Sequence, residues 1–376
     1  MTAPDHPPER GHRRPAWLLP TPTRRGDSES PVRALLVRLM RGEDLSRADA
    51  AALFGAAMDE RATDAQIGAA LVALAVKGET VDELTGMAEA MRARAVRINC
   101  RHERFIDTAG TGSSYAKTFN VSTAAAFVCA GAGLPVAKHG SRAATSLSGS
   151  ADVLTELGVN VQVEAAVSER CVNEIGICFL FAPLYHQATA RVAQIRRQLG
   201  VHTTFNLLGP LTNPAGAPRQ ITGVWHETLL EPLAHTLAAL GTEHAWVVHG
   251  SDGLDEVTTT GLTTVAEARG GEVHVFTIHP QAFGLKICAG LEELRGGSAS
   301  ENAALIRAVF RGETEGRAAS ARDLIVANAA AALHVGGCED DLKNAARRAE
   351  ESVQSGAALA KLEELARITK SAGARS

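Results

Sequence analysis

The sequence predicts an α/β protein, with a small N-terminal helical domain at residues 31–100 and a larger α/β domain at residues 101–370 around a central, mostly parallel sheet. Two observations carry this prediction. Apolar residues recur with helical spacing from Pro31 to about Ile98. From Phe105 onward, short apolar strands alternate with helical stretches, which is typical of parallel sheets. Ligands of such sheets gather at the carboxyl ends of the strands, so the motifs at those ends are the functional candidates.

Capping residues mark the helix starts of the N-terminal domain. Ser46 is the expected N-cap of a second helix, and the pairs Thr63–Gln66 and Thr80–Glu83 have capping-box spacing. About four short helices cannot bury every apolar stripe among themselves. The sequence therefore predicts a surface that docks a second subunit.

The larger domain is predicted from short segments in chain order. The expected strands are "FIDTAG", "LPVAKHG", "VNVQV", "AWVVHG" and "EVHVFTI", and the expected helices include "VSTAAAFVCAGAG" and "SGSADVLTELG". A helical segment near residues 186–205 is expected to return to the helical domain, and the chain from "ENAALIRAVFRGETEG" to "LAKLEELARITK" is predicted to be helical. Residues 1–30 are rich in Pro and Arg, which predicts a disordered tail.

Composition excludes several classes of protein. The formal net charge of −4 argues against broad non-specific binding of nucleic acid, which needs a basic face. No apolar run is long enough to span a bilayer, and the N-terminus has no signal-like apolar core. None of the six cysteines forms a C-x-x-C pair, so we expect buried free thiols in a reducing compartment. The expectation is a soluble cytoplasmic protein that binds neither nucleic acid nor membranes.

The first functional candidate is the loop in "DTAGTGSSYAKTFNVST", residues 107–123. Gly110 and Gly112 let backbone approach a ligand, and the helix start after the loop favours an anion. The further hydrogen-bond donors and acceptors of this loop are Ser113, Ser114, Lys117, Thr118, Asn120, Ser122 and Thr123. A tight turn with an N-cap is the alternative interpretation, because a lone "GTG" is weak evidence.

The second candidate is "AKHGSRAATSLSGSAD", which follows another predicted strand. It brings together Lys138, His139, Arg142, Thr145, Ser146, Ser148 and Ser150. Arg offers a two-pronged donor and Lys a point charge, and both suit phosphate oxygens. A solvated polar loop is the alternative. Because both loops follow strands of one sheet, we expect them to face one crevice.

The third candidate is "VVHGSDGLDEVTTTG", in which Asp252, Asp255 and Glu256 follow a predicted strand. Neighbouring carboxylates at a strand end hold Mg²⁺ directly or through water, and Mg²⁺ neutralises a diphosphate. An Asp–Gly turn with exposed acids is the alternative, and for this stretch alone it is the stronger one.

The fourth candidate, "FAPLYHQATARVAQIRRQLGVHTTFNLLGPLTNPAG", holds His186, Arg191, Arg196 and Arg197 near a predicted helix. An arginine here can clamp a carboxylate, whereas a surface charge is the plain alternative for each. The sequence shows no Ser-His-Asp signature and no "GxxxxGK[ST]" phosphate loop. A Mg²⁺-diphosphate sugar donor and a small acidic acceptor would fit this set of groups.

Taken in order, these stretches resemble the anthranilate phosphoribosyltransferase family. The similarity is collinear from about residue 32 to 365 and rests on "GTG…KTFNVST", "KHGSR…SGSAD", "RRQLG…FNLLGPLTNPA" and "DGLDE", with "SENAALIRAVFRGE" and "NAAAALHVGG" agreeing as well. It implies the fold shared by nucleoside phosphorylases and phosphoribosyltransferases, and a homodimer formed through the helical domains. The implied reaction joins anthranilate to 5-phosphoribosyl 1-diphosphate, which is the second step of tryptophan synthesis from chorismate.

The resemblance also implies roles for individual residues. It assigns phosphoribosyl diphosphate to Gly110, Gly112, Ser113, Ser114, Thr118, Asn120, Ser122, Thr123, Lys138, Gly140, Arg142, Ser146 and Ser150. It assigns anthranilate to Gly110, His139, Ser141, His186 and Arg196. It assigns the Mg²⁺ cofactor to Ser122, Asp255 and Glu256. No acid or base catalyst is implied, and Arg196 positions the acceptor.

Four positions depart from the family pattern, in three places. Ser113 and Ser114 stand where the family commonly has "GD", Lys117 stands where Asn is common, and Ser141 replaces Asn in "KHGNR". Losing an acid at Ser114 reduces repulsion of the donor, so we expect donor binding with an altered Mg²⁺ dependence. Ser141 bears on the choice of acceptor more than on the reaction type.

Other functions stay open at this stage. A phosphoribosyltransferase with a different aromatic acceptor fits the same motifs. "KT" at Lys117–Thr118 also resembles the phosphate loop of pyrimidine nucleoside phosphorylases. A non-catalytic, nucleic-acid-binding relative is a further alternative. "DGLDE" and "FNLLGPLTNP" favour the transferase.

Overall fold

The computed structural model describes residues 31–112, 116, 118–143 and 147–373. The predicted tail at residues 1–30 lies outside this range. The candidates Ser113, Ser114, Lys117, Thr145 and Ser146 also lie outside the described residues.

Four helices open the described chain: α1 (Pro31–Met40), α2 (Arg47–Met58), α3 (Asp64–Lys77) and α4 (Val81–Arg92). Ser46 caps α2 through its side chain, and Thr63 and Thr80 form reciprocal capping boxes at the starts of α3 and α4. The predicted helix starts are therefore confirmed. These side chains satisfy backbone N–H groups that have no partner within the helix.

The remaining helices are α5 (Val121–Gly131), α6 (Ser150–Glu156), α7 (Ala165–Ile175), α8 (Ala182–Tyr185), α9 (Ala190–Leu199), α10 (Phe205–Leu208), α11 (Leu230–Ala239), α12 (Ala299–Phe310), α13 (Gly316–Val335), α14 (Leu342–Gln354) and α15 (Ala357–Gly373). The strands are β1 (Ile106–Asp107), β2 (Val136–Gly140), β3 (Ile177–Phe181), β4 (Arg219–Gly223), β5 (His244–Gly250), β6 (Thr263–Arg269) and β7 (Glu272–Ile278).

The strands form one sheet in the order β3-β2-β1-β4-β5-β6-β7. Pairing is parallel from β3 through β5, whereas β6 and β7 are antiparallel. The predicted mostly parallel sheet is confirmed. The short β1 lies inside the sheet between β2 and β4, so the loop that follows it opens beside the ends of these two strands.

The sheet separates two hydrophobic cores, because alternate residues of a strand point to opposite faces. In β5, Trp246 and Val248 belong to the core that includes α5, α13 and α15, whereas Ala245 and Val247 belong to the core that includes α11 and the N-terminal helices. The helical domain therefore packs on the side of the sheet that α11 covers, with α4 against α11.

Helix α9 joins the N-terminal helices. Its Val192 and Ile195 lie in their core. Arg191, one of the four candidates near this helix, pairs with Asp64 of α3 at 2.6 Å. This contact ties α9 to α3 and leaves Arg191 outside the functional candidates.

One predicted strand is wrong. "VNVQV", residues 159–163, does not form a strand and pairs with none in the described part of the chain. Its alternating Val159, Val161 and Val163 are buried as in a strand. The Asn160 N–H, however, donates to Thr369 Oγ1 at 3.1 Å, and the Gln162 N–H donates to Asn160 Oδ1 at 3.0 Å. Side chains satisfy these backbone donors, so no ladder forms.

All six cysteines are free, and Cys129, Cys171 and Cys178 are buried. Burial raises the pKa of Cys171 to about 11, so its thiol stays protonated at neutral pH. Across the described residues, no helix combines the length and the apolar character needed to cross a membrane.

Candidate functional site

A cavity of about 440 Å³ opens beside the carboxyl ends of β1 and β2. This volume suits a small-molecule site. The described candidates that line it are Gly110, Gly112, Thr118, Asn120, Ser122, Thr123, Lys138, His139, Gly140, Ser141, Arg142, Ser148, Ser150, His186, Arg196, Asp255 and Glu256. The structure thus brings residues from all four candidate stretches to one cavity.

The first loop is anchored on the end of β4. The backbone N–H and the hydroxyl of Thr111 both donate to the Gly223 carbonyl at 3.0 Å. Gly112 has φ +67°, a left-handed conformation that favours glycine. A Cβ on Gly223 would overlap the carbonyl of Asp255, so only glycine lets the acidic segment approach this loop so closely.

The start of α5 presents an unpaired hydroxyl. Thr123 is 1% exposed, and its Oγ1 has no hydrogen-bond partner among the described residues. Asn120 stands at the N-cap position but makes no capping hydrogen bond with its side chain. The helix dipole and this hydroxyl together favour an anion at the cavity end of α5.

Lys138 places a buried positive charge at the floor of the cavity. Its Nζ donates to Thr108 O at 2.8 Å and lies 3.3 Å from Ser122 Oγ. Burial lowers the pKa of Lys138, and the charges of Asp107 and Glu256 oppose this fall. A phosphate oxygen near Ser122 would meet this charge at short range.

The carboxylate of Asp152 holds the second loop in its conformation. Asp152 accepts hydrogen bonds from Ala143 N–H at 3.0 Å and Gly149 N–H at 2.9 Å. It also pairs with Arg142 at 2.7 Å. Arg142 is about half exposed and lies 5.8 Å over the Phe181 ring. The loop thus holds its arginine at the mouth of the cavity.

Two acids face the cavity from the segment after β5. Burial and the neighbouring charge of Asp255 raise the pKa of Glu256, while the charge of Lys138 and the backbone N–H of Ser122 oppose the rise. Two adjacent carboxylates in such a site repel each other unless a cation lies between them. The donor set is therefore one that a divalent cation would stabilise.

The third acid of this stretch, Asp252, has a different environment. Its carboxylate accepts hydrogen bonds from the hydroxyls of Thr258 and Thr260 and from the Leu254 N–H. It shapes the turn and does not line the cavity. The interpretation as an Asp–Gly turn therefore holds for Asp252, but not for Asp255 and Glu256, which line the cavity.

Arg196 faces the same cavity from α9. Its guanidinium donates to Thr203 Oγ1 at 3.2 Å and to Asn206 Oδ1 at 3.1 Å, and it lies 5.1 Å over the Phe205 ring. Burial lowers its pKa, but a guanidinium stays charged at neutral pH. The side chain is held in one orientation, which suits it to bind a planar carboxylate. Arg197, the next residue, is exposed.

Two buried histidines, His139 in β2 and His186 after α8, line the same cavity as this arginine. The rings of His139 and His186 meet edge to face at 5.1 Å. Burial lowers the pKa of His139 to about 3 and of His186 to about 4, so both are neutral at pH 7. His139 Nδ1 bonds the Gly209 carbonyl at 3.0 Å, whereas His139 Nε2 has no partner among the described residues.

Several residues that organise the site were missed from the sequence. Asp107 is buried and accepts hydrogen bonds from Asn213 Nδ2 at 2.7 Å and His139 N–H at 3.1 Å. Asn328 of α13 bonds both the N–H and the carbonyl of Val257 at 2.9 Å, directly after the acid pair. A polar residue inside an apolar run, as in "NAAAALHVGG", is the sequence signal for Asn328.

Comparison with known proteins agrees with this geometry. The model of the glycosyl transferase family, a/b domain, matches residues 102–359, and that of the glycosyl transferase family, helical bundle domain, matches residues 33–95. The anthranilate phosphoribosyltransferase of Anaeromyxobacter sp. strain K is 50% identical over 338 residues, which cover 90% of this chain and 98% of that protein. The chain belongs to the anthranilate phosphoribosyltransferase family.

Solved structures of this family have the same fold. The anthranilate phosphoribosyltransferase of Thermus thermophilus aligns with a TM-score of 0.84 at 38% identity, covering 91% of this chain and 99% of that one. The Saccharomyces cerevisiae anthranilate phosphoribosyltransferase in complex with PRPP and Mg aligns with a TM-score of 0.82 at 28% identity, covering 92% and 99%. The family and the fold class predicted from the sequence are confirmed.

Proposed function

We propose that this protein transfers the phosphoribosyl group of 5-phosphoribosyl 1-diphosphate to the amine of anthranilate. The products are N-(5-phosphoribosyl)anthranilate and diphosphate. The observation that carries the proposal is one cavity in which two polar loops and an acid pair lie together with a fixed arginine. The family to which the chain belongs supports the same reaction and its place in tryptophan synthesis.

The donor is assigned to the loops after β1 and β2. Lys138 is buried and Arg142 stands at the mouth, so the two cations can attract opposite ends of a doubly phosphorylated sugar. The described donor-binding residues are Gly110, Gly112, Thr118, Asn120, Ser122, Thr123, Lys138, Gly140, Arg142 and Ser150. Ser113, Ser114 and Ser146 complete the assignment by their place in the sequence.

Ser122, Asp255 and Glu256 are proposed to hold Mg²⁺. Their hydroxyl and carboxylate oxygens are ligands that Mg²⁺ prefers. The raised pKa of Glu256 shows that its negative charge is destabilised here, and a bound cation would stabilise that charge. The bound ion would neutralise diphosphate as it leaves. A structure of the yeast relative contains PRPP and Mg, which supports this assignment.

The acceptor is assigned to Arg196, with Gly110, Ser141, His139 and His186 around it. The fixed guanidinium would bind the anthranilate carboxylate and point its amine toward the donor. In the reaction, the bond from C1 to diphosphate breaks with its electron pair leaving on oxygen, and a C1–N bond forms. The amine proton then passes to water. His139 and His186 are weak bases, and an aromatic amine already reacts in its neutral form.

A homodimer is also proposed, formed through the helical domain. Met40 at the end of α1 is 53% exposed, and Val72 and Val76 of α3 are 40% and 83% exposed. Val72 and Val76 are four residues apart on one helix and share a face. An apolar surface on these two helices supports a contact with a second copy.

Loss of anthranilate fluorescence tests the proposed reaction. Purified protein is mixed with phosphoribosyl diphosphate and anthranilate over a range of Mg²⁺ concentrations, and we expect turnover only with the metal. Glu256→Gln removes one ligand charge and should raise the Mg²⁺ concentration for half-maximal rate about tenfold or more. Asp252→Asn is the matched control, because that acid shapes the turn; it should lower stability without moving the Mg²⁺ requirement.

The outcomes separate the alternatives. No turnover while the donor still binds would point to a different acceptor and direct attention to Ser141. Metal-independent cleavage of a nucleoside by phosphate would instead support the nucleoside-phosphorylase alternative. An unchanged Mg²⁺ profile in Glu256→Gln would contradict the metal assignment alone.

A further inference from the structure

A side chain from a distant part of the chain connects the two polar loops. Asn302 lies in α12, within "SENAALIRAVFRGE", and is 1% exposed. Its Nδ2 lies 3.1 Å from Asn120 Oδ1 and 2.8 Å from Ser148 Oγ. Asn120 ends the first loop and Ser148 belongs to the second. One amide group therefore bonds both loops.

The orientation of this amide follows from a backbone donor. The Gly297 N–H can only donate, and it lies 2.8 Å from the Asn302 side-chain oxygen. The Asn302 nitrogen must then face the loops. Ser148 Oγ accepts from this nitrogen and donates to Asn120 Oδ1 at 3.2 Å. Donors and acceptors match around the whole triangle.

The network also accounts for the behaviour of Asn120. This residue type commonly caps a helix, yet its side chain makes no capping bond to α5. Its carboxamide bonds Asn302 and Ser148 instead. Asn120 therefore uses its side chain to contact the other loop and not to cap the helix. This indicates that these residues fix the relative position of the two loops.

We propose that Asn302 is a positioning residue for the phosphoribosyl diphosphate donor. Asn120 and Ser148 line the cavity, whereas Asn302 does not. It therefore acts through those two side chains, holding the loops at the spacing the donor needs. This inference rests on the proposed function, since it names what the two loops hold. No catalytic role for Asn302 is implied.

Two variants of Asn302 test the inference. Asn302→Ala removes every hydrogen bond of this amide and leaves the direct bond between Ser148 and Asn120, and Asn302→Asp keeps the oxygen that accepts from Gly297 but removes the N–H donors. Ser352→Ala is the matched control, because Ser352 of α14 is 3% exposed and donates one buried hydrogen bond to Val128 O at 2.8 Å, away from the cavity. Donor affinity is measured by calorimetry with phosphoribosyl diphosphate and Mg²⁺, without anthranilate. The kinetic constants for both substrates and the melting temperature are measured beside it.

Both Asn302 variants should weaken donor binding about tenfold, because two hydrogen bonds that order the loops are lost. The KM for anthranilate should stay within about twofold, since Arg196 lies on another element. Ser352→Ala should lower the melting temperature without changing donor affinity.

The results distinguish this inference from the proposed function. A wild-type chain that binds no donor would overturn both. Wild-type binding with donor affinity unchanged in the Asn302 variants would overturn this inference alone. A variant that loses affinity for both substrates in step with its melting temperature would show a purely structural role and would also overturn it.

Discussion

At the scale of single residues, Arg196 shows how a side chain is prepared for one ligand. Thr203 and Asn206 hold its guanidinium by hydrogen bonds, and Phe205 lies beneath it. A guanidinium fixed in this way loses little entropy when it binds a carboxylate. Arg197 follows it directly in α9 but is exposed and does not line this cavity.

The contrast between these two arginines gives a direct test. Arg196→Lys keeps the charge but loses the two-pronged donor, so the KM for anthranilate should rise about 10- to 100-fold. Arg197→Lys should leave it unchanged. Donor affinity, measured separately by calorimetry, should be the same in both variants. Equal effects of the two substitutions on the anthranilate KM would contradict the assignment of Arg196.

Residue types at strand ends could be predicted from the sequence, but their partners could not. The acids of "DGLDE" were grouped as one candidate, yet Asp252 bonds its own turn while Asp255 and Glu256 line the cavity. Asp107 meets Asn213 across 106 residues of chain, and Asn302 meets Asn120 across 182. Contacts of such sequence separation depend on the tertiary fold, which local patterns do not specify.

At the scale of elements, sequence patterns predicted helices and strands correctly where the deciding contacts join residues that are close in the chain. The capping boxes of α3 and α4 involve residues three apart, and both were predicted. The interpretation of "VNVQV" failed because an alternating apolar pattern shows burial but not pairing. There, Thr369 of α15 supplies the acceptor that a neighbouring strand would otherwise supply.

Glu83 has two roles in the helical domain. It completes the capping box of α4, and its fully buried carboxylate also accepts hydrogen bonds from Leu45 N–H at 2.9 Å and Lys77 Nζ at 2.8 Å. It therefore connects α3, α4 and the segment before α2. Asp82, its neighbour in the first turn of α4, is exposed.

Glu83→Ala should lower the free energy of unfolding by about 3 kcal/mol, because it leaves the buried Leu45 N–H without a partner and removes one of the two carboxylates that pair with the mostly buried Lys77 ammonium. Asp82→Ala should cost about 0.5 kcal/mol, through the helix dipole alone. Chemical denaturation followed by circular dichroism measures both. A Glu83→Ala variant as stable as Asp82→Ala would mean that the buried cluster contributes nothing beyond an ordinary helix terminus.

At the scale of the whole molecule, the cavity lies between the sheet of the α/β domain and the N-terminal helices with α9, which share one hydrophobic core. The polar loops and the acid pair come from the sheet, whereas Arg196 comes from a helix that packs against α3. Any motion of the N-terminal helices relative to the sheet would change the distance between Arg196 and the loops. The division of the chain into two domains thus separates Arg196 of the assigned acceptor site from the loops assigned to the donor.

The proposed dimer is tested at its most exposed apolar side chain. Val76 of α3 is 83% exposed, and Val76→Glu would place a charge in the proposed contact. Light scattering after size exclusion should give twice the 39.4 kDa chain mass for the wild type and one chain mass for Val76→Glu. Val275→Glu is the control, because Val275 is 49% exposed on the edge strand β7, outside the N-terminal helices. The described residues assigned to the donor lie in the larger domain and none of them belongs to α1 or α3, so the Val76→Glu monomer should still bind the donor. A wild type of single chain mass, or the same mass change with Val275→Glu, would contradict a dimer formed through α1 and α3.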